Sequence, residues 1–275
     1  MYGKQVRSNS YINRTYRITE MLGSGGSCAV YKAWHNRLRK YVVIKIADSC
    51  STDAIAWHRN EVEALKNIKS MYLPQVIDFL ISDDQSFTIM EHIEGLSFDK
   101  LLKCGHKFTE VQILKWYMQL ALALTTIHKH DVSHRDIKPA NIILTTNDDI
   151  CLIDFNSAFV IGNNTGIASR SMGYASPEQY EYFMACRSAT TNSQGSHNVY
   201  DVDWKLSDIF SLGATIYHLL TGERLLTESE DITDFSNLKG FNKRLISIIM
   251  QSTKATPSQR FASAEELYNA LRLVE

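Results

Sequence analysis

Alternating apolar and polar positions over the first ninety or so residues predict a strand-rich region. The clearest strand is rich in β-branched residues and alternates with a period of two. It places Val42, Ile44 and Ile46 on one face, and Val43 and Lys45 on the other. Further strands are predicted over residues 16–21, 29–33, 77–81 and 87–93.

Helical spacing appears first at residues 53–68 and then governs the chain after Gly95. Capping boxes of the form Thr-x-x-Gln at 109–112 and Ser-x-x-Glu at 263–266 predict two helix starts. An apolar helix is predicted over residues 208–220, and a hairpin over 141–144 and 150–153.

The change of period near residue 94 predicts an α+β fold of two lobes, the first β-rich and the second mainly helical. The expected divisions are an extension over 1–15, a first lobe over 16–93 and a second lobe over 94–275. Small polar residues between Gln179 and Lys205 predict a long surface loop, with an insertion at about 181–205.

Composition excludes several classes of protein. Apolar residues make up 44% of the chain and charged residues 21%, with a net charge of −1, so nucleic acid is not an expected partner. No apolar run approaches the roughly 18 residues that a membrane span needs. Five dispersed cysteines predict free thiols, and therefore a cytoplasmic chain or the cytoplasmic domain of a longer membrane protein.

One polar segment carries most of the candidate chemistry. Residues 133–141 read Ser-His-Arg-Asp-Ile-Lys-Pro-Ala-Asn, and Asp154-Phe155-Asn156 follows. Two carboxylates, an amide and a lysine at these spacings suit phosphoryl transfer from a magnesium nucleotide. A charged surface loop is the alternative, but nine such contiguous positions are hard to obtain by chance.

A glycine-rich segment, Gly23-Ser24-Gly25-Gly26, lies between two predicted strands. Glycines let a backbone approach phosphate closely, although an ordinary hairpin turn has the same composition. A dinucleotide-binding fold requires a helix after the glycines, whereas a strand is predicted here.

Lys45 lies inside a β-branched strand, where its charge needs a partner or a path to solvent. Glu61 and Glu63 on the predicted helix are the candidate partners. They lie about 200° apart around a helix, so only one of them can face the lysine.

Together these segments resemble the motifs of the eukaryotic-like serine/threonine protein kinases, in the form frequent among bacterial members. The resemblance covers about residues 16–273 and implies the bilobal protein-kinase fold. Asn156 departs from it by replacing a glycine, as does Cys28. Asparagine tolerates the left-handed region better than most residues, so reduced loop mobility is expected rather than loss of metal binding.

The resemblance implies four roles in the central segment. Asp136 would accept the proton of the acceptor hydroxyl, and Lys138 would neutralise charge on the moving phosphoryl group. Asn141 and Asp154 would hold Mg²⁺ or Mn²⁺. Ser171 occupies the position of the family's substrate-docking hydroxyl.

The resemblance also implies an ATP site. Lys45 would bind the α- and β-phosphates and pair with Glu61, whose register matches the family's helix glutamate. The backbone of residues 90–93 would bind adenine. The implied nucleotide-binding residues are Gly23, Ser24, Gly25, Gly26, Val30, Val43, Lys45, Met90, Glu91, Ile93, Asn141, Leu144 and Asp154.

Other motifs have architectural counterparts in the family. Ser176-Pro177-Glu178 would close an activation segment over 154–178, with Arg260 as the partner of Glu178. Asp208 would hold the backbone of the catalytic loop, residues 133–141. Arg135 would pair with a phosphorylated residue of the activation segment, for which Thr165 and Ser169 are candidates.

The resemblance therefore implies an ATP-dependent kinase acting on serine and threonine hydroxyls of proteins, with autophosphorylation in a transient homodimer. A pseudokinase scaffold is one alternative, motivated by Asn156 and Cys28. A small-molecule kinase is another, although the segment 171–178 counts against it.

Overall fold

The computed structural model describes residues 10–24, 28–48, 52–82, 85–161, 170–189, 202–225 and 235–274. The chain divides into two compact units. Unit 1 comprises residues 1–69 and 74–93, and unit 2 comprises residues 70–73 and 94–275.

Unit 1 is an antiparallel sheet with a helix, α1 (Thr52–Leu65). The strand order is β1-β2-β3-β4-β6-β5. Its strands are β1 (Tyr11–Ile12), β2 (Tyr16–Ser24), β3 (Cys28–His35), β4 (Lys40–Asp48), β5 (Val76–Ser82) and β6 (Gln85–Glu91).

The two faces of β4 differ as the alternation predicts. Val42, Ile44 and Ile46 are buried in the apolar core of unit 1. Lys45 points to the opposite face, where α1 packs against β4 and β6. A strand, β3, follows the glycine-rich segment, as expected, so the helix that a dinucleotide-binding fold needs is absent at this position.

Unit 2 is built mainly from helices, which begin at well-defined caps. Thr109 and Gln112 form the predicted reciprocal capping box at the start of α3. The helices are α2 (Phe98–Lys103), α3 (Glu110–His128), α4 (Pro177–Ala189), α5 (Trp204–Thr221), α6 (Lys243–Ser252) and α7 (Ala264–Leu271).

Short strands in unit 2 position the loops between them. Two small antiparallel sheets have the orders β10-β9-β7 and β11-β8. Pairing of β8 with β11 holds the chain just before residue 134 beside the chain that follows residue 158. The strands are β7 (Gly95–Ser97), β8 (Val132–Ser133), β9 (Ile142–Thr145), β10 (Ile150–Leu152) and β11 (Phe159–Val160).

Two local predictions need correction. The polar stretch after Gln179 was expected to be a loop, but α4 continues to Ala189, and residues 190–201 lie outside the described part. The second capping box is only half formed, because Glu266 accepts a hydrogen bond from the Ala262 N–H instead of the Ser263 N–H. The α+β class itself is confirmed.

Within the described ranges, no helix combines the length and apolar character needed to span a bilayer.

Candidate active site

Lys45 and Glu61 form a buried ion pair in unit 1. Lys45 Nζ lies 2.7 Å from Glu61 Oε1, and the glutamate side chain is fully buried. Glu63 instead lies on the exposed surface of α1 and pairs with Lys66 at 2.6 Å. Helix geometry therefore turns only the first of the two glutamates toward the strand lysine.

Strand register places the candidate nucleotide-binding residues of unit 1 on one face of the sheet. Val30 lies opposite Lys45, and Val43 lies opposite Met90. Since cross-strand partners point the same way, all four side chains share the face opposite the apolar core. Val30 and Val43 are half-buried, as expected for side chains bordering a binding surface.

The glycine-rich segment is described only in part. Gly23 and Ser24 end β2 and pair with Val30 and Ala29 of β3. Gly25 and Gly26 lie outside the described residues. The two strands thus lead into and out of the segment expected to cradle phosphate.

Met90 and Glu91 end β6, and residues 92 and 93 are the last of unit 1. Glu91 donates its N–H to the Gln75 carbonyl over 2.9 Å, which fixes the backbone there. Ile93 follows as a half-buried residue outside regular structure. Register thus fixes this segment relative to β5, and its contact with adenine remains a prediction.

Leu144 lies on β9 in unit 2, beside β7 and β10. Its backbone is approached closely by Gly95, where a Cβ would lie 2.1 Å from the Leu144 carbonyl oxygen. Only glycine permits this approach, so the residue after Glu94 is sterically required for the position of Leu144.

Asp136, Lys138 and Asn141 form a compact polar cluster in unit 2. Lys138 Nζ lies 3.0 and 2.8 Å from the two carboxylate oxygens of Asp136. Asn141 Nδ2 donates to the backbone oxygen of Asp136 over 2.8 Å and to its Oδ2 over 2.9 Å. The carboxylate is therefore held by a cation and an amide while remaining partly exposed.

Ser171 joins this cluster from the activation segment. Its hydroxyl donates to Asp136 Oδ1 over 2.7 Å and accepts from Lys138 Nζ over 2.9 Å. A hydroxyl thus contacts both the carboxylate and the ammonium group.

Asp208 on α5 holds the backbone of the catalytic loop. It is fully buried and accepts the N–H groups of His134 and Arg135, each over 2.8 Å. Seven residues along the same helix, Thr215 donates to the Ile137 carbonyl over 3.3 Å. Two helical turns therefore place both side chains on the face that supports this loop.

His134 links the catalytic loop, residues 133–141, to the metal loop, residues 154–156. Its Nε2 lies 3.1 Å from the Ile153 carbonyl, and its Nδ1 accepts the Asp136 N–H over 3.2 Å. Because Nδ1 accepts, the ring is the neutral tautomer with its proton on Nε2. The ring also packs edge-on against Phe155 with centroids 4.5 Å apart.

Asn141 and Asp154 offer the oxygens that Mg²⁺ prefers. Both amide hydrogen bonds of Asn141 use Nδ2, which leaves Oδ1 directed away from Asp136. In the described ranges, no three His, Cys, Asp or Glu side chains gather into a metal cage. Such a pair fits Mg²⁺, which commonly takes one or two protein ligands and completes its shell with phosphate and water.

Asn156 does not adopt the left-handed conformation that its position suggested. Among the described residues of this turn, Asp154 is the left-handed one, with φ of 70°. Asn156 instead donates its side-chain amide to Asp154 Oδ1 over 2.7 Å. The substitution of the family glycine therefore adds a donor beside an expected metal ligand.

The Arg135 guanidinium is buried among aromatic rings. Its central carbon lies 4.0 Å from the Trp204 ring centre and 5.7 Å from that of Tyr182. Burial lowers the pKa of Arg135, although the group stays charged because arginine titrates far above neutral pH. Thr165 and Ser169, its expected phosphorylated partners, lie outside the described residues.

Glu178 and Arg260 form a bidentate ion pair, with contacts of 2.6 and 2.9 Å. The other three N–H groups of the buried guanidinium donate to backbone carbonyls, those of Lys254, Ala255 and Leu206. All five guanidinium N–H groups are thus satisfied, which makes this pair an anchor of unit 2.

Sequence reasoning missed three buried polar residues that support the catalytic loop. His128 contacts Asp208 Oδ2 at 3.0 Å, and Gln179 donates to the Arg135 carbonyl over 2.7 Å. Thr215 was also missed. For His128 and Thr215 the available signal was a polar residue inside an otherwise apolar helix, since burial there requires a partner. Gln179 lies in a helix without an apolar stripe, so it carried no such signal.

A comparison of the whole chain with known protein families agrees with this fold. The protein kinase domain model matches residues 16–272. The chain therefore belongs to the protein kinase family, and the expected family and fold are confirmed.

Curated relatives carry serine/threonine kinase names. The chain is 29% identical over 219 residues to a probable serine/threonine-protein kinase of Clostridium acetobutylicum, covering 77% of this chain and 31% of that protein. It is 25% identical over 276 residues to PrkC of Bacillus subtilis, covering 93% and 40%. For PknA of Corynebacterium glutamicum the identity is 29% over 239 residues, covering 82% and 47%. The chain thus spans less than half the length of these three relatives.

Proposed function

We propose that this chain transfers the γ-phosphate of ATP to serine and threonine hydroxyls of protein substrates, including its own. The arrangement of Ser171 between Asp136 and Lys138 carries the proposal. It supports a carboxylate that accepts a hydroxyl proton while an adjacent ammonium group neutralises charge on the transferred phosphoryl group.

In unit 2, the chain's own groups orient the acceptor. Asp136 aligns the hydroxyl and takes its proton, while Lys138 supplies positive charge close to the carboxylate. Asn141 fixes the carboxylate through its amide nitrogen, and its Oδ1 is the atom that would hold a metal ion. Such positioning and electrostatic stabilisation supply most of the rate enhancement expected of phosphoryl transfer.

Asn141 and Asp154 are the proposed ligands for Mg²⁺ or Mn²⁺. When bound, the metal neutralises phosphate charge and orients the leaving group. The two side chains provide one amide oxygen and one carboxylate, the hard donors that both ions accept.

In unit 1, Lys45 is proposed to bind the α- and β-phosphates while Glu61 holds its ammonium group in place. Val30, Val43 and Met90 share the face of Lys45 and would pack on adenine. The backbone of Glu91 and Ile93 would supply its polar contacts. Gly23, Ser24, Gly25 and Gly26 would approach the phosphates.

We also propose a cytoplasmic setting, with transient pairing of two copies for autophosphorylation. Cys104 and Cys186 are free thiols, which supports a reducing compartment. The same activity would suit a cytoplasmic domain of a longer protein. Phosphorylation of an Asp136→Ala copy by the wild type, detected by mass difference, would support transfer between copies.

The decisive experiment is radiolabel transfer from ATP to myelin basic protein and to the chain itself. We expect Asp136→Ala to reduce the rate by about 10² to 10⁴-fold, and Asp154→Ala to abolish metal-dependent transfer. Asp148→Ala, which alters a surface carboxylate beside Lys115, should leave the rate unchanged. Wild-type transfer no faster than Asp136→Ala would refute the proposal in favour of a pseudokinase. Transfer only to metabolites in a lysate would indicate a small-molecule kinase.

A further inference from the structure

The peptide unit joining Arg135 to Asp136 is held by side chains at both ends. Gln179 Nε2 donates to the Arg135 carbonyl over 2.7 Å. On the other side, the Asp136 N–H donates to His134 Nδ1 over 3.2 Å. Because a peptide unit is planar and rigid, these contacts restrict its rotation, which sets the direction of the Asp136 side chain.

Arg135 requires such support because its backbone is left-handed, with φ of 65°. A non-glycine residue keeps this conformation only where its surroundings determine it. The Arg135 N–H donates to Asp208 Oδ1 over 2.8 Å, and the Arg135 carbonyl accepts from Gln179 Nε2. Both backbone groups of the strained residue are therefore bound by buried side chains.

The orientation of Gln179 is fixed by a closed circuit of hydrogen bonds. The backbone N–H of Gln179 donates to Ser176 Oγ over 3.3 Å, and Ser176 Oγ lies 2.8 Å from Ser207 Oγ. Ser207 Oγ then donates to Gln179 Oε1 over 3.3 Å. Since Oε1 accepts from the serine, Nε2 is the group that faces Arg135. All three circuit side chains are buried, so water cannot replace these bonds.

We infer that Gln179 is a positioning residue for phosphoryl transfer. It holds the Arg135 carbonyl and thereby directs the Asp136 carboxylate toward the acceptor hydroxyl. The inference rests on the proposed function. Because Gln179 lies in the first turn of α4, this helix becomes part of the support of the catalytic loop.

The test compares Gln179→Met with Gln119→Met. Gln119 is also buried and makes two hydrogen bonds, with Asp149 Oδ1 at 2.6 Å and the Ile150 N–H at 3.1 Å. After correction for folded fraction by circular dichroism, Gln179→Met should lower kcat about tenfold to a hundredfold. Its KM for ATP should stay within about twofold, because the proposed phosphate and adenine contacts are intact. Gln119→Met should retain kcat within about twofold.

Equal kcat losses in the two methionine variants, or an unchanged kcat in Gln179→Met, would overturn the inference. Gln179→Glu provides a second variant of nearly identical shape. Its carboxylate cannot donate to the Arg135 carbonyl, so its kcat should fall at least as far as that of Gln179→Met.

Hydrogen exchange at the Asp136 amide gives a readout independent of activity. We expect exchange on the order of fivefold faster in Gln179→Met than in wild type or Gln119→Met at matched global stability. Unchanged exchange would refute the positioning role even if kcat fell. A wild-type chain that transferred no phosphate would refute the proposed function, whereas exchange would still decide whether Gln179 holds this backbone.

Discussion

Unit 1 and unit 2 each contain a buried ion pair between residues distant in sequence, and the two pairs have different geometries. In unit 1, the fully buried partner is Glu61, which meets the small ammonium group of Lys45. In unit 2 the fully buried partner is Arg260, whose planar guanidinium donates two hydrogen bonds to the Glu178 carboxylate.

This difference indicates different roles. The Lys45 ammonium group can turn from its glutamate toward a phosphate, whereas the Arg260 guanidinium stays in one place. A lysine ammonium is a point charge on a flexible stem, so it can turn toward a phosphate while staying near its glutamate. An arginine with five satisfied donors cannot move without leaving several buried groups unpaired. Activity should therefore be the sensitive property of the first pair, and stability that of the second.

The largest expected effect follows from removing the anchor. Arg260→Met leaves Glu178 and three carbonyls without their donor, so the free energy of unfolding should fall by about 3–5 kcal/mol. Thermal denaturation should show a decrease in Tm on the order of 10 °C. Arg272→Met, at an exposed position, is the control and should shift Tm little. If Arg260→Met had the same Tm as Arg272→Met, the Glu178–Arg260 pair would not be an anchor of unit 2.

The next effect tests the pair in unit 1. Lys45→Met should lower the transfer rate by about 10² to 10³-fold, because one preorganised charge on the phosphates is lost. Its Tm should change far less than that of Arg260→Met. Initial rates at saturating ATP and a parallel melting curve measure both quantities.

The matched variants Glu61→Gln and Glu63→Gln sharpen this test. The first removes the charge that faces Lys45, whereas the second alters only an exposed pair with Lys66. We expect a rate loss of about tenfold or more for Glu61→Gln and none for Glu63→Gln. Similar rates for the two variants would contradict the assignment of the partner.

The smallest effect is expected for Asn156→Gly. This change removes the donor to Asp154 Oδ1 and restores loop freedom, so activity should be retained or raised. Glycine at a position without a left-handed backbone should cost about 0.5–1 kcal/mol of stability. Rates measured over a series of Mg²⁺ concentrations check the first part. A rate loss above about tenfold would instead make Asn156 a required part of the metal loop.

The sequence predicted those features that depend on local chemistry. Alternation located the two faces of β4, and a threonine three residues before a glutamine located the start of α3. The contiguous catalytic segment identified the family because its residue types occupy consecutive positions. Each of these signals lies within a few residues of the feature that it predicts.

Features that depend on tertiary partners were not predicted. Helix α4 has polar and small residues without a clear apolar stripe, and packing of Tyr182 against Trp204 helps to hold it. The role of Gln179 depends on a carbonyl 44 residues away. The two-residue strands β8 and β11 carry too few positions for alternation to be detected.

The anchor also bears on how the chain folds during synthesis. Glu178 and Arg260 are 82 residues apart, so the ribosome must add all of that intervening chain before the pair can form. At about 5–20 residues per second, this delay is roughly 4–16 s. During that interval Glu178, in the first turn of α4, lacks its arginine partner. Unit 1, whose ion pair spans only 16 residues, can close its own pair much earlier.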